Sequence, residues 1–247
     1  MGGETPVLIE TGGAIATITL NRAERRNGVT VAMCHALLEA VEEVAASEAR
    51  VVILRGAGQD FCVGADLGGG GEQEDRSPEA LMPVYHAATL LHEMPQVTIA
   101  AIDGGCAGAG MGWACACDLR FASHEARFST AFLNVGAPGD MGLGWTLPRI
   151  VGGAMAREML LFPDKFDAAR ALETGLVTRL FDREVLHRET RALAGQLAGR
   201  APDALRAMKA NLLSGETLGL RDYIEVESRR HLDITGQPDF AERFGKR

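Results

Sequence analysis

The sequence predicts an α/β fold with a helical region at its C-terminal end, and two patterns carry that prediction. Short apolar runs alternate with segments of helical periodicity as far as Leu180. From Arg183 onward, apolar residues recur at helical spacing alone. Because strands that alternate with helices pack into layered sheets, we predict an α/β core over about residues 1–190 and a helical region over 191–247.

The first part of the core reads as a hairpin, a helix and a buried strand. Residues 7–22, VLIETGGAIATITLNR, predict two short strands that turn at Gly12–Gly13. Residues 30–47 show helical periodicity, with Thr30 as a candidate N-cap. Residues 49–58, ARVVILRGAG, predict a buried strand that ends in a glycine turn.

The rest of the core continues the alternation after a glycine-rich and acidic loop at residues 66–77. Pro78 follows a Ser77 cap and predicts a helix over 77–94. The remaining predicted segments are strands over 96–104, 120–123, 126–130 and 177–181, and helices over 110–119, 154–162 and 167–175, the last closed by Gly175. The C-terminal region is predicted as three helices, over 184–200, 201–213 and 220–235.

Composition excludes several classes of protein. The chain has 247 residues, 47% of them hydrophobic, which excludes a disordered chain. A net charge of −8 argues against a general nucleic-acid binder, since such proteins need a basic surface. Apolar runs are too short to span a membrane, and the N-terminus shows no signal peptide. We therefore expect a soluble, cytoplasmic protein with neither nucleic acid nor membrane as a partner.

The five cysteines predict free thiols, as is usual in a reducing compartment. Cys115 and Cys117 form a Cys-Ala-Cys segment, but no further Cys or His lies nearby at a zinc-binding spacing. We expect no metal site, and we expect Cys62 and Cys106 to serve as small packing residues.

Two glycine-rich turns follow predicted strands, GQDFCVGADL at 58–67 and DGGCAGAGMGWACACD at 103–118. A backbone N–H at the start of a helix is a free donor, and two such groups that converge make an oxyanion hole. Small residues leave room for a ligand to approach the backbone. Neither turn has the spacing of a dinucleotide or P-loop motif. Taken singly, each turn fits close strand–helix packing equally well.

A set of motifs in a defined order carries a family resemblance. NRAERRNGVT, GAGQDFCVGADL, IAAIDGGCAGAGMGWACACDLRFAS, ARFSTAFLNVGAPGDMGLGWTLPRIVG and ALETGLVTRLF together closely resemble the crotonase family, the enoyl-CoA hydratase/isomerase superfamily. The resemblance runs from about Val7 to Pro202. It implies a core spiral of stacked ββα turns and a C-terminal helical region that mediates assembly into a homotrimer or a dimer of trimers. It also implies an acyl-CoA thioester as substrate, with coenzyme A present only as part of that substrate.

The resemblance assigns roles by position. It implies that the N–H groups of Ala65 and Ala109 hold the thioester oxygen while an enolate forms. It further implies contacts to coenzyme A, from Arg25 to the phosphates and from Gly28, Val63 and Leu67 along the adenine and pantetheine path. By itself, Arg25 in the string ERR fits a solvated surface charge equally well. Asp66 is interpreted as a cap of exposed N–H groups rather than as a catalytic residue.

The carboxylates that family hydratases use are missing. The resemblance places their two glutamates at Gly112 and Phe132, and neither residue can transfer a proton. Asp140, in GAPGDMGLG, matches the aspartate that some family isomerases use to move a proton between carbons. An aspartate in such a glycine-rich segment also fits a turn. Apolar neighbours predict a raised pKa for Asp140.

We therefore predict an acyl-CoA isomerase that shifts a double bond or opens a ring with Asp140 as acid and base. Two alternatives stay open. The first is a hydratase that uses Asp140 or another base, and the second is a family member that binds thioesters without turnover. Tyr85, His86 and His92 lie on the predicted 77–94 helix, which the resemblance places at the border of the acyl pocket. We expect these histidines to be packing or surface residues.

Overall fold

The structure is a computed structural model that describes residues 5–66 and 77–240. Its strands are β1 (Val7–Gly12), β2 (Ile15–Leu20), β3 (Val51–Gly56), β4 (Val97–Ile102), β5 (Gly105–Ala107), β6 (Leu119–Ser123), β7 (Arg127–Ser129), β8 (Phe166–Asp167) and β9 (Arg179–Phe181). Its α-helices are α1 (Val31–Ala45), α2 (Pro78–Glu93), α3 (Ala109–Ala116), α4 (Leu143–Val151), α5 (Gly153–Leu161), α6 (Ala168–Glu173), α7 (Arg183–Ala198), α8 (Pro202–Gly215) and α9 (Leu220–Thr235). Single turns of 3₁₀ helix lie at Ala23–Arg25 and Phe132–Val135.

Among the described residues, the main sheet has six strands in the order β1-β2-β3-β4-β6-β9. The β1–β2 hairpin is antiparallel, and the other four pairings are parallel. Gly12 pairs with Ile15, so the hairpin loop consists of Gly13 and Ala14, one residue later than predicted. Gly13 has φ 63°, a conformation that glycine adopts without strain.

Both faces of the central strands are buried, which explains their continuous apolar runs. Alternate residues of a strand point to opposite faces. Val52 and Leu54 of β3 therefore join the large core under α1 and α2, while Val51 and Ile53 join a smaller core under α7. The same alternation in β4 and β6 makes the sheet the middle layer of a three-layer structure.

A second, small sheet runs beside the first and reveals a spiral. Its order is β5-β7-β8, and Cys62 extends it through an isolated parallel bridge to Cys106 of β5. Along the chain, a strand of the main sheet is followed by a strand of the small sheet and then by a helix, as in β4, β5 and α3. This repetition confirms the predicted spiral of ββα turns.

Local signals placed most helix ends correctly. Met33 N–H donates to Oγ1 of Thr30 at 3.2 Å, so Thr30 caps α1. Helix α2 begins at Pro78, and Gly175 follows α6 with φ 76°. Helix α4 was not predicted, because its sequence follows a glycine-rich segment and contains Pro148.

A buried ion pair anchors the C-terminal helices to the core. The Lys209 side chain of α8 is 1% exposed and pairs with Asp118, which precedes β6. The other oxygen of Asp118 accepts the Thr98 N–H of β4 at 2.8 Å. Helix α9 then packs on α8. Within the described ranges, none of the helices is both long and apolar enough to cross a bilayer.

Candidate active site

Ala65 lies in a short bridge that directs its N–H away from the neighbouring strand. Val29 N–H donates to the Gly64 carbonyl at 2.8 Å, and Asp66 N–H donates to the Val29 carbonyl at 3.0 Å. In a parallel ladder, the residue between two such bonds turns its own N–H to the opposite side. The Ala65 N–H is therefore available to a ligand.

Ala109 is the first residue of α3, and its N–H belongs to the unpaired first turn of the helix. The preceding Gly108 has φ 52° and ψ −124°, which only glycine adopts easily. This conformation brings the chain from β5 directly into the helix. The partial positive charge of the helix start adds to the attraction for a developing oxyanion.

The two turns touch each other at the glycines that precede the donors. A Cβ atom on Gly108 would lie 3.6 Å from the Gly64 Cα, and one on Gly64 would lie 3.1 Å from the Ala107 carbonyl oxygen. The donors at Ala65 and Ala109 are thus neighbours because their turns pack backbone to backbone. Two adjacent N–H groups of this kind can stabilise the oxyanion of an enolate.

Arg22 holds the first turn in place, a role that sequence reasoning missed. Its guanidinium donates to Oδ2 of Asp66 at 2.9 Å and also to the Gly28 carbonyl. Asp66, interpreted from the sequence as a cap, therefore pairs with a cation and fixes the residue next to Ala65. The side chains of Arg22 and Asp66 are only 20% and 9% exposed, so water weakens this pair little.

A buried polar network ties the two turns together. The Asn27 side chain donates to the carbonyls of Ala57 and Asp60 at 2.9 and 2.7 Å. The Asp60 carboxylate accepts the Gly105 N–H at 2.6 Å and the Arg26 guanidinium at 2.8 and 3.0 Å. Burial raises the pKa of Asp60, but these donors outweigh burial and lower it overall. Asp60 therefore stays ionised and links the loop before Ala65 to the strand before Ala109.

Gly112 sits against Met141 and cannot be replaced by a glutamate in this arrangement. A Cβ atom at Gly112 would lie 2.5 Å from the Met141 Cβ, far inside contact distance. Met141 itself is buried and has φ 48°. The first hydratase position is thus closed by packing as well as by residue type.

Phe132 places an aromatic ring where the resemblance implies the second glutamate of a hydratase. Its ring atoms would lie 3.9 Å from a Cβ on Gly108 and 4.0 Å from one on Gly139. The ring therefore stands between the donor turn and the segment that carries Asp140. An apolar ring next to the Gly139–Asp140 segment is an environment that favours the neutral form of a buried carboxyl group.

Asp140 is a half-buried carboxylate at this wall, between Gly139 and Met141. Burial raises its pKa to about 6. Its Oδ1 atom is buried without a hydrogen-bond partner among the described residues. Its charge also contributes to the raised pKa values of Cys62 and Tyr85, after the larger effect of burial, so both side chains lie in its field. A carboxylate with a pKa of about 6 and an oxygen that accepts no hydrogen bond from the described residues is suited to accept and return a proton.

The raised pKa predicts how stability depends on pH. The unfolded chain releases the Asp140 proton near pH 4 and the folded chain near pH 6, so this group favours unfolding progressively as pH rises from 4 to 6. Asp140→Asn should therefore raise the midpoint of thermal unfolding at pH 8 and change it little at pH 4. Asp164→Asn, at an exposed carboxylate, serves as the control. An equal change of the midpoint at both pH values would contradict the assignment.

A cavity of about 230 Å³ lies between α2 and the start of α4, next to Met141 and Gly142, the two residues that follow Asp140. Helix α2 contributes Tyr85, Thr89 and His92 at helical spacing, so that one face of the helix lines the cavity. The other lining residues are Ala88, Glu93, Ala116, Met141, Gly142, Trp145 and Thr146. His92 is not a simple surface residue, because its Nε2 lies 2.8 Å from Oε2 of Glu216.

The residues implied for coenzyme A lie around the same turns. Arg25 is exposed at the end of a 3₁₀ turn, and its role in binding stays a prediction. Gly28 is buried, and a Cβ there would lie 3.2 Å from the Asp66 Cβ. Val63 is half-buried, and its Cγ1 would lie 2.7 Å from a Cβ on Gly105. Leu67 lies outside the described residues.

The thiols are buried packing groups. All five cysteines are buried and free. Burial raises the pKa of Cys62 to about 12, and a Cβ on Gly110 would lie 2.8 Å from its Sγ atom. Among the described residues, no group of three or more His, Cys, Asp or Glu side chains could hold a metal ion.

Comparison with known proteins identifies the family. The family model described as enoyl-CoA hydratase/isomerase matches residues 10–244. This chain belongs to the enoyl-CoA hydratase/isomerase family. Membership confirms the predicted family and a crotonase-type fold, and it makes the chain an acyl-CoA enzyme by class.

Some relatives within the family are named hydratases and others isomerases. The chain is 34% identical to a "Probable enoyl-CoA hydratase" of Rhodobacter capsulatus, over 94% of this chain and 91% of the relative. It is 30% identical to the mitochondrial Delta(3,5)-Delta(2,4)-dienoyl-CoA isomerase of Rattus norvegicus, over 79% of this chain and 64% of the relative. A Thermobifida fusca YX protein solved in complex with acetoacetyl-CoA superposes with a TM-score of 0.85 at 27% identity, over 93% and 94% of the two chains.

Proposed function

We propose that this family member is an acyl-CoA isomerase that moves a double bond, or opens a ring, through a thioester enolate. One observation carries the proposal. Of the three carboxylate positions that the family resemblance points to, Asp140 alone is acidic, while Gly112 and Phe132 cannot transfer protons.

The chemistry follows from the geometry of the site. Asp140 in its ionised form removes a proton from one carbon of the acyl group, and the electron pair moves onto the thioester oxygen. The N–H groups of Ala65 and Ala109 stabilise the resulting oxyanion. Protonated Asp140 then returns the proton to another carbon, which restores the thioester and leaves the double bond displaced. The carboxyl ends the cycle as it began, and no water is consumed.

Hydration is the second candidate, because the Rhodobacter capsulatus relative bears a hydratase name. Adding water needs a group to activate it and a group to protonate the adjacent carbon. Of the positions that the resemblance assigns to proton transfer, Asp140 alone is acidic here, because packing closes the Gly112 position and an aromatic ring fills the Phe132 position. The site therefore favours proton transfer between carbons over addition of water.

One experiment separates the candidates. Enoyl- and dienoyl-CoA substrates are incubated with the protein in D₂O, and the products are identified by mass and by absorbance. Isomerisation displaces the double bond without adding mass beyond deuterium. Hydration of crotonyl-CoA removes the conjugated chromophore and adds water. Rapid hydration of crotonyl-CoA would refute the isomerase, and binding without either change would indicate a thioester-binding protein.

Binding of coenzyme A thioesters is supported by the relative solved with acetoacetyl-CoA. We expect Arg25 to contact the phosphates, a charge-assisted bond worth on the order of 1–2 kcal/mol. Arg25→Ala should weaken acyl-CoA binding several-fold in a titration at low salt. Arg200→Ala, at an exposed arginine of the C-terminal region, is the matched control. Equal affinity of the Arg25 variant and the wild type would make Arg25 a solvated surface charge.

We also propose assembly into a homotrimer or a dimer of trimers. The C-terminal helices leave an apolar face uncovered, with Met208 58% and Leu212 60% exposed. Leu220, Ile224 and Leu232 extend the exposed set along α9. Large exposed apolar patches mark interfaces. Sedimentation should give three or six chains, and a stable monomer at micromolar concentration would contradict this.

A further inference from the structure

The cavity between α2 and the start of α4 has a defined far end. Ala109, Gly112 and Ala116 follow one another along one face of α3, and the cavity is lined by Ala116. Seven residues of helix separate the donor at Ala109 from Ala116, a rise of about 10 Å. An extended chain advances ~1.2 Å per bond, so roughly eight bonds lead from the thioester carbonyl to this depth.

Trp145 and His92 line the cavity at that depth. Their rings meet edge to face with centroids 5.3 Å apart. The Arg149 Cζ atom lies 3.7 Å from the centroid of the Trp145 ring, and Nε2 of His92 lies 2.8 Å from Oε2 of Glu216. His92 and Arg149 thus contact two sides of an indole that is 42% exposed, and the cation over its face adds stabilisation.

A second cavity of about 410 Å³ begins on the other side of this ring pair. The two cavities share three residues, His92, Trp145 and Thr146. The wall of the second cavity is mostly apolar, with Val97, Ile150, Leu197, Leu205 and Leu212, and it also carries the charged residues Asp118, Arg120, Arg149, Lys209 and Glu216. The indole of Trp145 thus stands between the small cavity near Asp140 and the larger, mostly apolar one.

We propose that Trp145 sets an upper limit on the acyl group, so that the site accepts a single ring or a chain of about eight carbons. The inference rests on the proposed thioester site at Ala65 and Ala109. The volume agrees, since a cavity of about 150 Å³ holds a benzene ring and this one measures about 230 Å³. Removal of the indole joins the two cavities and gives a longer chain an apolar path.

The test compares the affinities of saturated acyl-CoA thioesters with 4 to 16 carbons, below their micelle-forming concentrations. Saturated thioesters cannot isomerise, so the measurement does not depend on turnover. In the wild type, affinity should rise to about eight carbons and then stop rising. In Trp145→Ala, the ratio of affinities for 16 and 6 carbons should increase on the order of tenfold, because more methylenes are buried.

Phe162→Ala is the matched control, since Phe162 is an exposed aromatic residue that lines neither cavity. Trp145→Leu repeats the test with a smaller loss of volume, and circular dichroism checks folding. A wild type that already prefers 16 carbons, or a ratio that neither Trp145 variant changes, would overturn the inference. Failure of isomerisation with this length profile intact would refute only the proposed reaction, whereas no binding at any length would refute both.

Discussion

Asp140→Asn is expected to lower the rate of isomerisation by roughly 100- to 10,000-fold, the contribution of a positioned proton-transfer group. Asparagine keeps the shape of the side chain but can neither accept nor return a proton. The raised pKa of about 6 means that wild-type kcat/KM should climb as pH passes through this value, because the base must be ionised. Steady-state rates on an accepted enoyl- or dienoyl-CoA measure both effects.

The binding of saturated acyl-CoA is the internal check for this variant. It should persist in Asp140→Asn, because the donors at Ala65 and Ala109 are backbone groups. Asp140→Glu should keep part of the activity, since a carboxylate remains near the substrate. Asp164→Asn should behave as the wild type. Full activity of Asp140→Asn on an accepted substrate would remove Asp140 from the mechanism.

Ala109→Pro should lower kcat by about 100- to 1,000-fold, the usual effect of losing one oxyanion donor. The change deletes only the N–H that we assign to the enolate oxygen. Proline fits the first position of a helix, and Ala109 holds that position in α3. The preceding Gly108, with ψ −124°, lies outside the α region that a following proline disfavours.

Val31→Pro provides the matched control, because Val31 is the first residue of α1 and the preceding Thr30 is extended. Both variants should keep their helical content by circular dichroism. Only Ala109→Pro should lose activity. It alone should also bind enolate-like inhibitors no more tightly than ordinary acyl-CoA thioesters. A folded Ala109→Pro variant with wild-type kcat would show that this N–H does not act on the transition state.

Local patterns in the sequence were sufficient for the layered fold and most of its elements. Strands buried on both faces need uninterrupted apolar runs, and β3 and β4 have them. Thr30 and Gly175 act within one or two turns of the chain, so their effect on helix ends is visible locally. The order of the glycine-rich motifs indicated the family. Residue types alone excluded glutamate chemistry at Gly112 and Phe132.

Contacts between distant segments decided what local patterns could not show. Helix α4 was missed because glycine and Pro148 are weak helix signals, which packing against α3 and α5 overrides. Arg22 reaches Asp66 across 44 positions, and Asp60 links Arg26 to Gly105 across 34 and 45 positions. No spacing rule predicts such pairs, because chain reversals bring them together.

The sequence by itself determined which groups are present: small residues at the two turns, one carboxylate at Asp140, and neither of the two hydratase glutamates. The tertiary structure alone decided what those groups can do. Contact between Gly64 and Gly108 makes two separate N–H groups neighbours, and burial raises the pKa of Asp140 to about 6. Electrostatic interactions and packing depend on the distance between groups in space rather than along the chain. Both effects therefore arise only in the folded protein.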